Sequence, residues 1–283
     1  MLHKVMIFLL FCLLALGITY GYYYSRWKRL WVVANPLPHY SIPHIQSDTL
    51  KVLMIGDSWA GIHTELQMDA FLRSKLEQKI LRPVSVVSKG KGGEKSRGIY
   101  RLLFQTEGYG TKNFVLEGVD YCIISAGIND AAANLGTKQF CAYYRMILDF
   151  LLDNSIRPVI IEIPDVDIWN IYGDKPKKDL LIDYVRSTMT CCGMYNYHEY
   201  REALYSMLIK ESLMDKVVYV SMKGWNGDGV KLNPLLFMPD KIHLNSAGYE
   251  KLDACIAIAI ARDLQKSQNP ALVDEPVGNN AKH

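Results

Sequence analysis

The stretch Lys51-Val-Leu-Met-Ile-Gly-Asp-Ser-Trp59 decides the fold. Val52 to Ile55 is a run of four apolar residues, short enough for one buried strand. Gly56-Asp57-Ser58 breaks the run, and a helical pattern begins near Ala60 to Glu65. A strand that ends in a tight turn and passes straight into a helix leaves the turn side chain at the carboxyl edge of a sheet, where open α/β folds place their ligands. Ser58 is therefore a candidate nucleophile. A serine at such a turn more often simply caps the helix, so the remaining chain has to supply a base, an orienting acid and oxyanion donors.

Working outward, the same alternation recurs. Short apolar runs at 50–56, 83–88, 120–126, 158–163 and 217–221 read as strands. Between them lie helical patterns. The first covers 63–80, with Leu66, Ala70, Leu72 and Leu76 near helical spacing; 94–104 is shorter. Across 137–153, Arg145, Asp149 and Asp153 form a polar stripe. The last, 245–264, carries Leu252, Cys255, Ile256, Ala259 and Ile260 on one face. Such alternation implies parallel strands joined by right-handed crossovers. Continuous apolar runs imply strands covered on both faces. The expected architecture is a three-layer α/β/α sandwich around a five-stranded parallel sheet. Two regions exceed this plan. Residues 164–210 predict a loop and two helices, rich in aromatics (Trp169, Tyr172, Tyr184, Tyr195, Tyr197, Tyr200), and 222–239 is a Gly/Asn-containing loop.

The flanks are different in kind. Val5 to Ser25 holds no charged residue, and a helix of that length reaches roughly 30 Å, enough to cross a bilayer. A cleaved signal peptide is the rival reading. However, Leu16-Gly-Ile-Thr-Tyr-Gly21 offers no small-x-small site. Tyr20, Tyr22, Tyr23, Tyr24 and Trp27 that follow resemble an interfacial belt. The expectation is an uncleaved anchor over 1–29 that meets the membrane through residues 5–25, a Pro-containing linker over 30–47, the folded domain over 48–266, and a polar tail over 267–283. Positive charge does not orient the span, because Lys4 flanks one side and Arg26, Lys28 and Arg29 the other. A short tail before a single span resembles an export anchor, which puts the domain outside the cytoplasm.

Charge and cysteines exclude several classes. The net +3 belongs to the first 47 residues, which hold four basic and no acidic groups; the remainder has 28 basic and 29 acidic residues. No basic face suggests nucleic acid. The six cysteines make no framework: Cys12 lies in the apolar segment, Cys122 in a strand and Cys255 on a helix face, and adjacent Cys191 and Cys192 are poorly placed to pair with each other. With no C-x-x-C or His/Cys cluster, neither a metal nor another cofactor is expected.

Three further blocks share the sheet edge with Ser58. Ser88-Lys-Gly-Lys-Gly-Gly-Glu-Lys-Ser96 follows the second strand and Gly127-Ile-Asn-Asp130 the third. Glycine lets a backbone N–H approach a ligand closely, and an asparagine amide is a donor; both suit an oxyanion hole. Met238-Pro-Asp-Lys-Ile-His243 sets an acid three residues before a histidine, so that one imidazole nitrogen can meet the carboxylate and leave the other for a hydroxyl. Taken in order, Gly56-Asp57-Ser58, Gly93, Gly127-Ile-Asn129-Asp130 and Asp240-Lys-Ile-His243 resemble the SGNH (GDSL-type) hydrolases over residues 50–265.

That resemblance implies a flavodoxin-like sandwich and acyl transfer through an acyl-enzyme. It makes Ser58 the nucleophile, His243 the general base, and Asp240 its orienting acid. The oxyanion would be held by the N–H groups of Ser58 and Gly93 and the side chain of Asn129. Gly92 remains the alternative to Gly93. Trp59 departs from the family's leucine and is expected to line the pocket, while Lys89, Lys91 and Lys95 either meet an anionic substrate or are solvated. Asp57 is expected to serve a local turn, Asp130 to cap the helix after it, and His63 to sit on the surface. The implied function is an esterase that removes acyl groups, acetyl among them, from a small-molecule, carbohydrate or cell-envelope ester. The alternatives are an O-acyltransferase that decorates a surface polysaccharide, a lipid esterase, and a binding module without catalysis.

Overall fold

The computed structural model describes residues 2–43, 47–225 and 233–268, so most of the expected tail and the middle of the loop at 222–239 lie outside the described residues. Five strands, β1 (Leu50–Gly56), β2 (Val84–Gly90), β3 (Tyr121–Ser125), β4 (Arg157–Ile161) and β5 (Val218–Val220), form one parallel sheet in the order β2-β1-β3-β4-β5. Every residue of β3 is buried, as are all but Lys51 of β1. Sequestering both faces accounts for the unbroken apolar runs.

Eleven helices are described: α1 (Leu2–Trp31), α2 (Ser58–Glu65), α3 (Met68–Ile80), α4 (Ser96–Leu102), α5 (Lys112–Leu116), α6 (Ile128–Ala132), α7 (Thr137–Asp153), α8 (Ile168–Tyr172), α9 (Lys177–Thr190), α10 (Tyr197–Lys210) and α11 (Ser246–Gln268). Those of the folded domain, from α2 onward, cover both faces of the sheet. α3 packs with α11, and α7 with α4 and α10. In α7 the side chains of Phe140, Tyr143, Tyr144, Ile147, Leu148 and Leu151 are buried at helical spacing, Phe140, Ile147, Leu148 and Leu151 each contributing about 1.5–3 kcal/mol by leaving water. On its polar side Arg145 pairs with Asp149 at 2.9 Å and with Glu211 at 3.0 Å.

Two expectations change. The helix expected over 63–80 is two helices, separated where Gln67 adopts left-handed backbone at φ 57°. α2 buries Trp59, Ala60 and His63, while α3 buries Met68, Leu72 and Leu76. The break lets each apolar face meet its own neighbours. The stripe read through Leu66 and Ala70 is exposed. The aromatic insert holds three helices, α8 to α10, where two were expected.

α1 forms a unit of its own with Met1–Leu37. Within Leu2–Lys28 an 18-residue stretch has a mean hydropathy of 2.2, and the helix is long and apolar enough to cross a membrane. Part of the expected linker is tied to the domain: His39 Nδ1 lies 2.8 Å from Asp153, the Tyr40 hydroxyl donates to the Leu103 carbonyl at 2.6 Å, and the Ile42 N–H donates to Asn154 at 3.2 Å.

Candidate active site

The carboxyl ends of β2, β1 and β3 are drawn together by small residues. Gly56 stands level with Gly90 on one side and Ser125 on the other. A Cβ on Gly56 would strike the Ser125 carbonyl, and one on Gly90 would strike the backbone of Gly61 and Asp57. The first turn of α2 therefore rests directly on the end of β2. Asp57 caps α2, accepting the Trp59 N–H at 3.1 Å. Ser58 is the first helical residue and half-buried. Its N–H donates to no acceptor among the described residues, as expected for a first-turn amide.

The loop before α11 carries Asp240 and His243. Asp240 Oδ1 accepts the N–H groups of Ile242 and His243 at 2.9 and 3.0 Å, an Asx-type turn closed by Lys241 in left-handed backbone at φ 60°. Asp240 Oδ2 lies 2.6 Å from His243 Nδ1, and His243 Nε2 lies 2.8 Å from Ser58 Oγ. Burial raises the Asp240 pKa, but the bonds from His243 and Ile242 outweigh it and hold the carboxyl below its ordinary value. The geometry is a hydroxyl, an imidazole and a carboxylate in hydrogen-bonded series, across 185 residues of chain between Ser58 and His243.

Asn129 sits beside this series. It donates one amide N–H to Asp57 Oδ2 at 3.2 Å, which leaves a second N–H on the same nitrogen. Asp57 is fully buried, and its Oδ1 also accepts the Ser125 hydroxyl at 3.1 Å. Burial pushes its pKa up to about 6 against the opposing bonds from Trp59 and Ser125. Gly93 adopts φ 71° in the turn closed by the Glu94 N–H on the Lys91 carbonyl at 3.1 Å, the positive φ that the third position of a type II turn requires. The Gly93 N–H also has no acceptor among the described residues.

Several residues take roles other than those expected. Trp59 does not line an open pocket: it is 1% exposed, and its indole N–H donates to the Ile242 carbonyl at 3.2 Å. A flat ring carrying one donor reaches between α2 and the base loop where leucine could not. Asp130 accepts the N–H and hydroxyl of Ser96 at 3.0 and 2.6 Å, so it caps α4 rather than the helix following it. His63 is completely buried instead of on the surface, because carboxylates face both ring nitrogens. The loop lysines are engaged with the protein: Lys91 pairs with Glu94 at 2.8 Å, Lys95 donates to the Gly93 carbonyl at 2.8 Å, and Lys89 lies over the Phe114 ring.

The insert supports the loop that carries Asp240 and His243. The Asp167 N–H donates to the Lys241 carbonyl at 3.0 Å, and the Asn170 amide to the Asp240 carbonyl at 3.1 Å. Between Asp167 and Asn170 lies Trp169, half-exposed, its ring edge-on to buried Tyr195 at 4.9 Å. None of these supports carries a motif; only the aromatic richness of 164–200 hinted at them.

The profile of the GDSL-like lipase/acylhydrolase family matches residues 54–251. The chain belongs to that family. Its members are serine ester hydrolases, and the fold agrees with solved structures. A lipase/acylhydrolase from Enterococcus faecalis superposes with a TM-score of 0.52 at 16% identity, covering 75% of this chain and 96% of that one. An acetyl xylan esterase gives 0.55 at 14%, covering 75% and 100%. A mutant of an acetyl-xylooligosaccharide esterase from Geobacillus stearmophilus gives 0.50 at 15%, covering 76% and 94%. No curated protein matches the chain.

Proposed function

We propose that this esterase removes short acyl groups, acetyl foremost, from a carbohydrate ester through an acyl-enzyme on Ser58. The observation that carries the reading is the series from Asp240 through His243 to Ser58 Oγ, with links of 2.6 and 2.8 Å. His243 Nε2 takes the Ser58 proton as Oγ attacks the ester carbonyl. Asp240 holds the ring so that Nδ1 carries its own proton and supports the imidazolium that forms. The N–H groups of Ser58 and Gly93 and the free amide hydrogen of Asn129 receive the negative charge on the tetrahedral oxygen. His243 then returns its proton to the leaving alcohol, and water releases the acyl group by the same path reversed. Asp57 keeps the Asn129 amide turned for this task.

Two observations support a sugar as the alcohol. The fold is shared with esterases named for acetyl xylan and acetyl-xylooligosaccharide. Trp169 presents a half-exposed indole one residue from the amide that holds the Asp240 carbonyl, and flat aromatic faces suit sugar rings. The apolar helix α1 serves as the membrane anchor and the domain lies outside the cytoplasm; alkaline phosphatase fused after residue 45 would be active in that case and inactive if the domain faced inward.

The chemistry is tested with full-length protein, p-nitrophenyl acetate and acetylated xylo-oligosaccharides. Wild type hydrolyses both, Ser58→Ala neither, and a fluorophosphonate probe labels Ser58. Equal inertness of wild type and variant, or label elsewhere, would remove the reading. Acetyl transfer to a sugar in preference to water would make the protein an O-acyltransferase.

A further inference from the structure

His63 is a buried histidine that the proposed chemistry does not use. Its ring is 0% exposed. Nδ1 lies 2.9 Å from Ser88 Oγ and 3.0 Å from Asp69 Oδ1, and Nε2 lies 3.0 Å from Asp253 Oδ1. Ser88 gives its own hydroxyl proton to Asp69 Oδ1, so toward the ring it can only accept. With Asp69 and Asp253 ionised, each ring nitrogen faces acceptors alone, so both carry a proton and the buried ring is an imidazolium between two carboxylates. The series Ser88–His63–Asp253 has the connectivity of a second relay, but Ser88 is 2% exposed and its proton points to Asp69, so no substrate meets it.

The location of the four groups gives the cluster its meaning. His63 lies on α2, five residues after Ser58. Ser88 lies on β2, five residues before Gly93. Asp253 lies on α11, ten residues after His243. Asp69 comes from α3 and also accepts the Ser88 N–H at 3.1 Å, while Thr64 of α2 donates to the Ser88 carbonyl at 2.8 Å. The Tyr249 ring of α11 closes the cluster edge-on at 5.6 Å from the imidazole. One charged ring therefore joins the segments that deliver the nucleophile, an oxyanion donor and the base.

We propose that His63, clamped as an imidazolium between Asp69 and Asp253, is a positioning residue that fixes Ser58, Gly93 and His243 in one geometry. Buried ion pairs are weak contributors to stability but can enforce a single arrangement of the elements they join. The titratable groups facing the ring are Asp69 from α3 and Asp253 and Tyr249 from α11, with Glu250 acting on Asp253 from farther out; Ser88 and Thr64 carry no charge. Burial works against the charged ring, but the bonds from Asp253 and Asp69 outweigh it and lift its pKa to about 9. A raised histidine pKa means the clamp is complete below the ordinary value of 6.5 and is lost as pH rises through about 9.

The test uses full-length protein in detergent and rests on Ser58 as the nucleophile, a premise the fluorophosphonate label checks separately. Histidine-selective ¹⁵N NMR should show the His63 ring losing its second proton near pH 9. The kcat/KM for p-nitrophenyl acetate, corrected for spontaneous hydrolysis, should fall at the same pH. Asp253→Asn should move both midpoints down by a pH unit or more while the far-UV spectrum stays that of wild type. A ring that titrates near 6.5, or an alkaline limb that stays in place while the ring's midpoint moves, overturns the proposal. If Asp253→Asn does not fold, the wild-type protein decides, because the two midpoints must coincide.

Discussion

The indole N–H of Trp59 donates to the carbonyl oxygen of Ile242 at 3.2 Å. The residue after the candidate nucleophile thereby holds the residue before the candidate base. Tyr249 completes the tie by donating its hydroxyl to the Trp59 carbonyl at 2.9 Å. Trp59→Phe keeps most of the ring volume but leaves the buried carbonyl without its donor, at a cost of about 1–3 kcal/mol. Urea unfolding should show that loss, and kcat for p-nitrophenyl acetate should fall several-fold as His243 drifts from Ser58. Unchanged kcat would mean the base loop is fixed without this bond.

The Asp57 carboxylate is an acceptor at every contact: Oδ1 takes the Trp59 N–H and the Ser125 hydroxyl, and Oδ2 takes the Asn129 amide. In Asp57→Asn one of these sites becomes a donor facing a donor. If the Asn129 amide is displaced, kcat should drop toward the 10²–10³-fold typical of a lost oxyanion donor, with KM little altered. A variant with wild-type kcat would show that Asn129 needs no such support.

Asp130 supplies a pH dependence of stability. Burial lifts its pKa to about 6 from an ordinary 3.8, against the bonds from Ser96. A carboxyl with a raised folded pKa stabilises most when protonated, below 3.8, and that contribution is lost as pH rises through about 6. Asp130→Asn cannot ionise and can still meet both the N–H and the hydroxyl of Ser96. Relative to wild type it should gain stability between pH 4.5 and 7.5, by at most about 3 kcal/mol. Urea unfolding at the two pH values checks this; an equal difference at both would refute it.

Trp169 separates a sugar ester from a generic one. Trp169→Ala should leave p-nitrophenyl acetate hydrolysis within two-fold of wild type and reduce kcat/KM on acetylated xylo-oligosaccharides about ten-fold, the loss expected from about 1–2 kcal/mol of ring contact. Equal effects on both substrates would argue for a packing role alone.

The sheet and the four site blocks were legible because each has a local signature. Buried parallel strands are apolar throughout, and Asp240 and His243 meet through a turn only three residues long. What escaped the sequence depends on partners distant in the chain. The break at Gln67 follows from α2 and α3 facing different neighbours. His63 looks like an ordinary surface histidine until Asp253, 190 residues later, arrives beside it. Trp59 suggested a pocket wall because its acceptor at Ile242 is remote, and Asp130 pointed to the helix after it because the Ser96 amide lies upstream.

The strand order has a consequence for the newborn chain. Ser58, Gly93 and Asn129 follow three neighbouring strands, β1, β2 and β3, whereas His243 follows β5 and precedes α11, which packs on α3. With the roles proposed above, a chain extended only as far as β4 holds the hydroxyl and the proposed charge-receiving groups but nothing to take the proton. Until α11 docks, the proposed relay lacks its base, so on that reading the Ser58 hydroxyl passes through the earlier stages of folding unarmed.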